Sequence, residues 1–206
     1  IIKDISVVVI LLIFCLFLHS ERKAMATSIF NYDRALNALL YVANHIDVRK
    51  RDIHKIFKIL YFADMTHLNK YGRAITGDRY IAMKYGPVPS SIYDMVKIVR
   101  GDSWYVQDDL KAFFSIHGNS LEPLRDADTS YLSESDVKEL DSAIEKYKDV
   151  DFNEMTKLSH GSAWTKAWRN PYCDEISVED ILRECGADED YISFIVDGIA
   201  AQKELM

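Results

Sequence analysis

Residues 52–100 constrain the fold more than any other part of this 206-residue chain. They read DIHKIFKILYFADMTHLNKYGRAITGDRYIAMKYGPVPSSIYDMVKIVR, which places a helix, an extended segment and a second helix in tight succession. In the first helix Ile53, Ile56, Phe57, Leu60 and Ala63 form one stripe, and Ile59, Phe62 and Leu68 widen it to most of the circumference. A helix apolar on most sides has to be surrounded, so the remaining elements must pack around it. Asp52 stands where its carboxylate can accept from the free N–H groups of the first turn. Gly72, after Lys70 and Tyr71, is the expected left-handed residue past the end. Thr76-Gly77-Asp78 is a turn signal, and residues 80–85 read as a short strand. Gly86-Pro87-Val88-Pro89 is expected to stop that strand as a loop, because proline has no N–H to donate. Ser90 or Ser91 is the expected cap of the next helix, with Asp94 at capping-box distance and Ile92, Met95, Val96 and Val99 on its apolar face.

The same reasoning extends along the chain. Leu36, Leu39, Leu40 and Ala43 lie at helical spacing within residues 31–46. Residues 113–116 and 121–124 flank His117-Gly118-Asn119-Ser120 as a β-hairpin, and Pro123 puts the second strand at an edge. Ser133-x-x-Asp136, Asp151-x-x-Glu154 and Ser177-x-x-Asp180 each open a helix. Trp164 and Trp168 share one face of residues 162–169, and residues 191–200 close the chain as an amphipathic helix. With 49% hydrophobic and 28% charged residues, a sizeable core and a solvated surface can coexist. The expected fold is α+β and mainly helical, with a small strand element.

Charge argues against binding a duplex. The net charge is −7, and the Arg49-Lys50-Arg51 run is short for a phosphate-binding patch. The helix at residues 53–71 is too apolar to read bases in a major groove, so a DNA-binding autoregulator is the weakest reading. Cys15, Cys173 and Cys185 form no C-x-x-C, and three thiols fit a reduced, cytoplasmic protein. The apolar run at residues 5–18 falls short of the roughly 20 residues that span a bilayer. Residues 1–24 are therefore expected to be sequence upstream of a start at Met25, with a signal anchor as the alternative. Leaving them out gives 22 basic and 30 acidic residues.

No Gly-rich phosphate loop, H-E-x-x-H or G-x-S-x-G occurs. Asp64 and His67 share a helix face, so they could ligate a metal or form an acid–base pair. The plainer reading has them hydrogen-bonded to the Gly77–Arg79 turn or to the Pro87–Pro89 loop. Asp78 and Arg79 read as turn residues. Tyr80, Tyr85 and Tyr93 suit either the core or an interface. His160 and Trp164 read as an aromatic cluster, one helical turn apart if Gly161 does not break the helix.

Taken together, Lys58-Ile-Leu-Tyr-Phe-Ala-Asp64, His67-Leu68, Lys70-Tyr71-Gly72-Arg73, Ile75-Thr76-Gly77-Asp78-Arg79-Tyr80 and Tyr85-Gly86-Pro87-Val88-Pro89 with Tyr93 resemble the Panacea domain of SocA-like antitoxins. Leu132-Ser133-Glu134 and Leu158-Ser159-His160 with Trp164 resemble its C-terminal half, so the likeness covers roughly residues 30–170. It implies a Panacea-like domain at residues 25–172, with residues 173–206 as a helical extension packed on it. It also implies a bacterial or phage-associated cytoplasmic protein without catalytic chemistry, cofactor or metal, and with no membrane-spanning part. Its partner would be a cognate protein toxin neutralised by direct contact, in some members as a proteolytic adaptor to a ClpXP-type protease. Among the matched positions, Asp64, His67, Tyr71, Gly72, Gly77, Asp78, Arg79, Tyr80, Tyr85, Gly86, Pro87, Pro89, Tyr93, His160 and Trp164 are signature positions and candidate partner contacts, and the C-terminal helices are candidates for toxin-specific ones. The alternative from another class is an enzyme, phage-associated, using Asp64 and His67.

Overall fold

The computed structural model describes residues 29–104 and 108–204. The expectations for residues 1–24, Cys15 among them, lie outside the described residues.

The chain begins with α1 (Tyr32–Asn44), whose first turn is capped by Asn31 accepting from the Arg34 N–H at 2.9 Å. The central helix α2 (Ile53–Tyr71) starts where the Asp52 carboxylate accepts from the His54 N–H, and ends at Gly72 with φ 72°. Then come β1 (Tyr80–Met83), β2 (Gly86–Pro89), α3 (Ser90–Arg100), β3 (Phe114–His117) and β4 (Ser120–Pro123). The order closes with α4 (Glu134–Tyr147), α5 (Phe152–Ser159), α6 (Ser162–Trp168), α7 (Val178–Glu184) and α8 (Glu189–Glu204). The fold is mainly helical α+β, and its strands form two antiparallel pairs. The caps expected at Ser133, Asp151 and Ser177 are present, the first as a full capping box with Asp136.

The second hairpin forms as expected but turns more tightly, with His117 and Ser120 paired inside its strands, and two other elements differ from expectation. Gly86-Pro87-Val88-Pro89 is a strand, pairing with β1 in the register Tyr80–Pro89, Ile81–Val88, Ala82–Pro87 and Met83–Gly86. On the other edge of β1, the Ala82 N–H donates to the Asp174 carbonyl and the Tyr80 carbonyl accepts from Ile176. Ile81 and Met83 therefore face β2, opposite Val88 and Gly86, both of which keep an N–H. The prolines point their missing donors away from the ladder, which is where an edge strand tolerates them. The first strand is correspondingly shorter than residues 80–85, since Lys84 and Tyr85 make the turn.

The cap of α3 also comes from elsewhere. Pro89 occupies the capping position and neither Ser90, Ser91 nor Asp94 closes the turn. Asp78, a dozen residues upstream, accepts from the Ser91 and Ile92 N–H groups at 3.0 and 2.9 Å. Asp94 instead pairs with Lys97.

Helix α2 carries twelve buried residues out of nineteen and takes part in two cores. Ile53, Ile56, Phe57, Ile59, Leu60 and Ala63 pack with α1, α3, α4 and the second hairpin. Tyr61, Met65 and Leu68, on the other flank, pack with β1, α6, α7 and α8 through Ala163, Ile181, Leu182, Ile192 and Ile195. Each such buried aliphatic side chain contributes roughly 2 kcal/mol, so both flanks need their cover. Residues 176–199 provide part of it on the second side.

Candidate functional site

The matched positions turn out to be mostly internal fastenings. The Asp64 carboxylate is fully enclosed and accepts from the Ile75 N–H at 2.8 Å, the Thr76 N–H at 3.0 Å, the Thr76 hydroxyl and the Tyr80 phenol at 2.8 Å. Burial lifts its pKa to about 6, with the four donors acting in the opposite direction. Burial also holds the Tyr80 phenol well above its ordinary value, beside that carboxylate. The Thr76 hydroxyl accepts from the Asp78 N–H at 3.1 Å. Gly77 at φ 69° passes so close to Ile29 that a Cβ there would meet its carbonyl oxygen at 2.0 Å. Asp64 thus ties α2 to the turn, and Asp78 ties the turn to α3.

His67 has separate partners. Its Nδ1 lies 2.8 Å from the Arg73 carbonyl, so Nδ1–H is the donor, and its Nε2 lies 3.0 Å from the Ser135 hydroxyl. Burial pulls its pKa down, while the Arg73 carbonyl and the Asp136 carboxylate act in the opposite direction. The Asp136 Oδ1 lies 3.1 Å from the same Nε2 and 2.9 Å from Arg73 Nη2. This corrects the expected contacts: Asp64 holds residues 75, 76 and 80, and His67 holds Arg73 and the start of α4. Asp64 and His67 engage separate partners and so do not form an acid–base pair with each other, and the His67 ring is wholly enclosed.

The other matched residues divide by exposure. Tyr71 is exposed, its ring 4.5 Å from His67, and Gly72 passes against Ile195 of α8. Arg79 is exposed and pairs with Glu175 at 3.6 Å. Tyr93 is half-buried, edge-on to Phe57 with Lys97 5.0 Å over its ring. Gly161 does break the helix, so His160 ends α5 while Trp164 belongs to α6. Their rings nevertheless stack at 3.6 Å, and Trp168 continues the stack at 5.4 Å.

A second set of contacts gathers at the tip of the first hairpin. Three alternate carbonyls are each held by a different side chain. Trp164 Nε1 donates to Met83 at 3.1 Å, His54 Nε2 to Tyr85 at 3.0 Å, and Lys58 Nζ to Pro87 at 2.6 Å. Gly86 is obligatory between the last two: a Cβ there would lie 2.4 Å from Ser159 Oγ and 2.8 Å from Lys58 Cε, at a φ of 103°. Lys58 is 1% exposed, and burial brings its ammonium down to about 7. The tip itself faces outward. Met83, Tyr85 and Phe152 are 43%, 50% and 47% exposed. Phe152 lies against His54 at 4.2 Å and edge-on to Tyr85 at 5.5 Å. Lys84 sits 5.2 Å over the Tyr85 ring.

Sequence reasoning passed over His54, Lys58 and Phe152. Lys58 had a readable signal, as the one cation inside the apolar run IFKILYF. Asp136 was read as a cap alone. Conversely, the basic run at residues 49–51 is spent locally: Arg49 pairs with Asp47, Lys50 with Asp149, and Arg51 donates to the Ile46 carbonyl.

Among the described residues no group of three or more His, Cys, Asp or Glu side chains could hold a metal ion, and no helix is long and apolar enough to cross a membrane. A family model described as antitoxin SocA-like, Panacea domain, matches residues 56–165, more than half of the chain and a narrower span than residues 30–170. No curated protein and no solved structure matches.

Proposed function

The chain belongs to the SocA-like antitoxin family through its Panacea domain, and we propose that it neutralises a cognate protein toxin by direct contact. Family membership over residues 56–165 carries this reading. An antitoxin-like role follows from that membership; the toxin, the contact and the fate of the complex are our proposal. In it the internal fastenings around Asp64, Asp78 and His67 keep the scaffold rigid, and exposed side chains meet the partner. The hairpin tip suits that task, since Met83, Tyr85 and Phe152 present amphipathic and apolar surface on a rigid turn. In the adaptor mode, the bound toxin is handed to a ClpXP-type protease, which places the encounter in the cytoplasm. We assign no catalytic role to Asp64 or His67, because each is enclosed and engaged separately.

Growth assays test the proposal. The gene beside this one is induced in a host strain alone and together with this chain. Arrested growth that co-expression restores is expected, and arrest that co-expression leaves unchanged contradicts the pairing. Repeating the rescue in a strain lacking the protease separates blocking from delivery: rescue lost there supports the adaptor mode, and rescue kept there contradicts it.

A further inference from the structure

The groove beside the hairpin tip has a charge opposite to that of the whole chain. Its walls are the first turns of α2, the tip of the first hairpin, Tyr93 and Arg100 of α3, and Phe152 of α5. His54, Lys58, Lys84 and Arg100 line it against one carboxylate, Asp52. That carboxylate is already engaged, accepting from the His54 N–H at 2.8 Å. Arg100 has a distant partner in Asp102 at 3.5 Å, but Lys58 and Lys84 face no carboxylate within ion-pair distance among the described residues. Lys58 uses one of its three protons, on the Pro87 carbonyl. It also stands close enough to His54 and His160 to depress both by like charge, although burial is the larger cause.

From the exposed, unpaired ammonium of Lys84, the Arg100 guanidinium and the exposed Tyr85 and Phe152 rings, all on one groove, we propose that the groove docks an acidic stretch of the partner protein, with an apolar or aromatic side chain laid between its carboxylates. The carboxylates meet Lys84 and Arg100, and the apolar side chain lies on Tyr85 and Phe152. The inference rests on the antitoxin reading for the partner's identity and on the groove alone for its chemistry. A protein whose net charge is −7 would be expected to favour basic partners; this face selects the reverse, and gives register rather than bulk attraction. β-Strand addition is not the mode here. Pro87 and Pro89 leave the outer edge of β2 without donors, and the Pro87 carbonyl is already taken.

The test is an amide-detected NMR titration of the full chain with the probe peptide acetyl-Glu-Phe-Glu-Trp-Glu-amide. Its lysine counterpart and an oligothymidylate are run alongside. Shifts concentrated at His54, Lys84 and Tyr85 are expected for the acidic peptide, with binding weakened about fivefold or more by Lys84→Glu. Both Lys84 and Tyr85 project into solvent, so their substitution leaves the core intact. Equal binding of the lysine peptide, tighter binding of the oligothymidylate, or shifts elsewhere on the surface would overturn the proposal. A parallel growth assay separates the two readings. Wild-type chain that rescues while Lys84→Glu/Tyr85→Ala rescues equally well removes the groove and keeps the antitoxin role. Wild-type chain that fails to rescue, yet binds the acidic peptide at the tip, removes the role and keeps the groove.

Discussion

At the residue scale, two buried ionisable groups set the behaviour of the scaffold. Asp64 collects four donors from residues 75, 76 and 80, so Asp64→Asn turns an acceptor into an amide facing N–H groups. A loss of about 2–4 kcal/mol is expected in urea unfolding. An unchanged midpoint would show that the turn holds without it. Lys58 works in the other direction. Its folded pKa is about 7 against the ordinary 10.5, so between these values the unfolded chain binds the extra proton. The penalty is fully present below pH 7 and is relieved as pH rises from 7 toward 10.5. Lys58→Met should therefore flatten the rise of stability in that window, and raise stability at pH 7 by on the order of a few kcal/mol. Parallel stability profiles for the two proteins across that window would contradict the assignment. Lys58 was legible as an oddity in an apolar run. Its target was not, because the Pro87 carbonyl comes close only once the hairpin has formed.

At the scale of elements, local signals predicted local structure well and long-range closures poorly. Caps whose donor and acceptor lie three residues apart, as at Ser133 and Asp136, are visible in the sequence because one helical turn brings them together. The cap of α3 was not, since Asp78 reaches it across a whole hairpin. The second strand was hidden by its prolines; only the pairing register shows that their missing donors face away from β1. Asp78→Ala should cost about 1–2 kcal/mol, as the loss of a helix cap does, and should fray α3 first. Hydrogen exchange of Ser91 and Ile92 reports it directly, and unchanged protection there would sink the claim. Gly86→Ala isolates crowding from backbone strain when compared with Gly118→Ala. Both glycines have positive φ, but nothing lies within 4 Å of a Cβ at Gly118, whereas Ser159 and Lys58 block one at Gly86. The Gly86 variant should melt at the lower temperature; equal melting would mean that the tip yields.

For the whole molecule, one apolar helix explains both cores. The sequence showed that α2 had to be surrounded, but not by what. Part of the cover on its second flank comes from β1 and Ala163, within the matched residues, and the rest from residues 176–199, beyond them. A chain ending at residue 172 would leave Tyr61, Met65 and Leu68 without α7 and α8, and it is expected to lose cooperative thermal unfolding. A truncated chain that melts as sharply as the whole would make the C-terminal helices an independent appendage. The candidate site divides in the same way. Its signature was legible because the fastenings lie close in sequence, while the groove beside the tip gathers side chains from α2, the first hairpin and α5 that no spacing relates. The central claim is that this chain acts by holding another protein. Light scattering of the purified chain mixed with the purified product of the neighbouring gene tests it most directly. The account predicts a stable complex of defined stoichiometry that charge reversal at Lys84 weakens. Two species that elute separately at every ratio would contradict it.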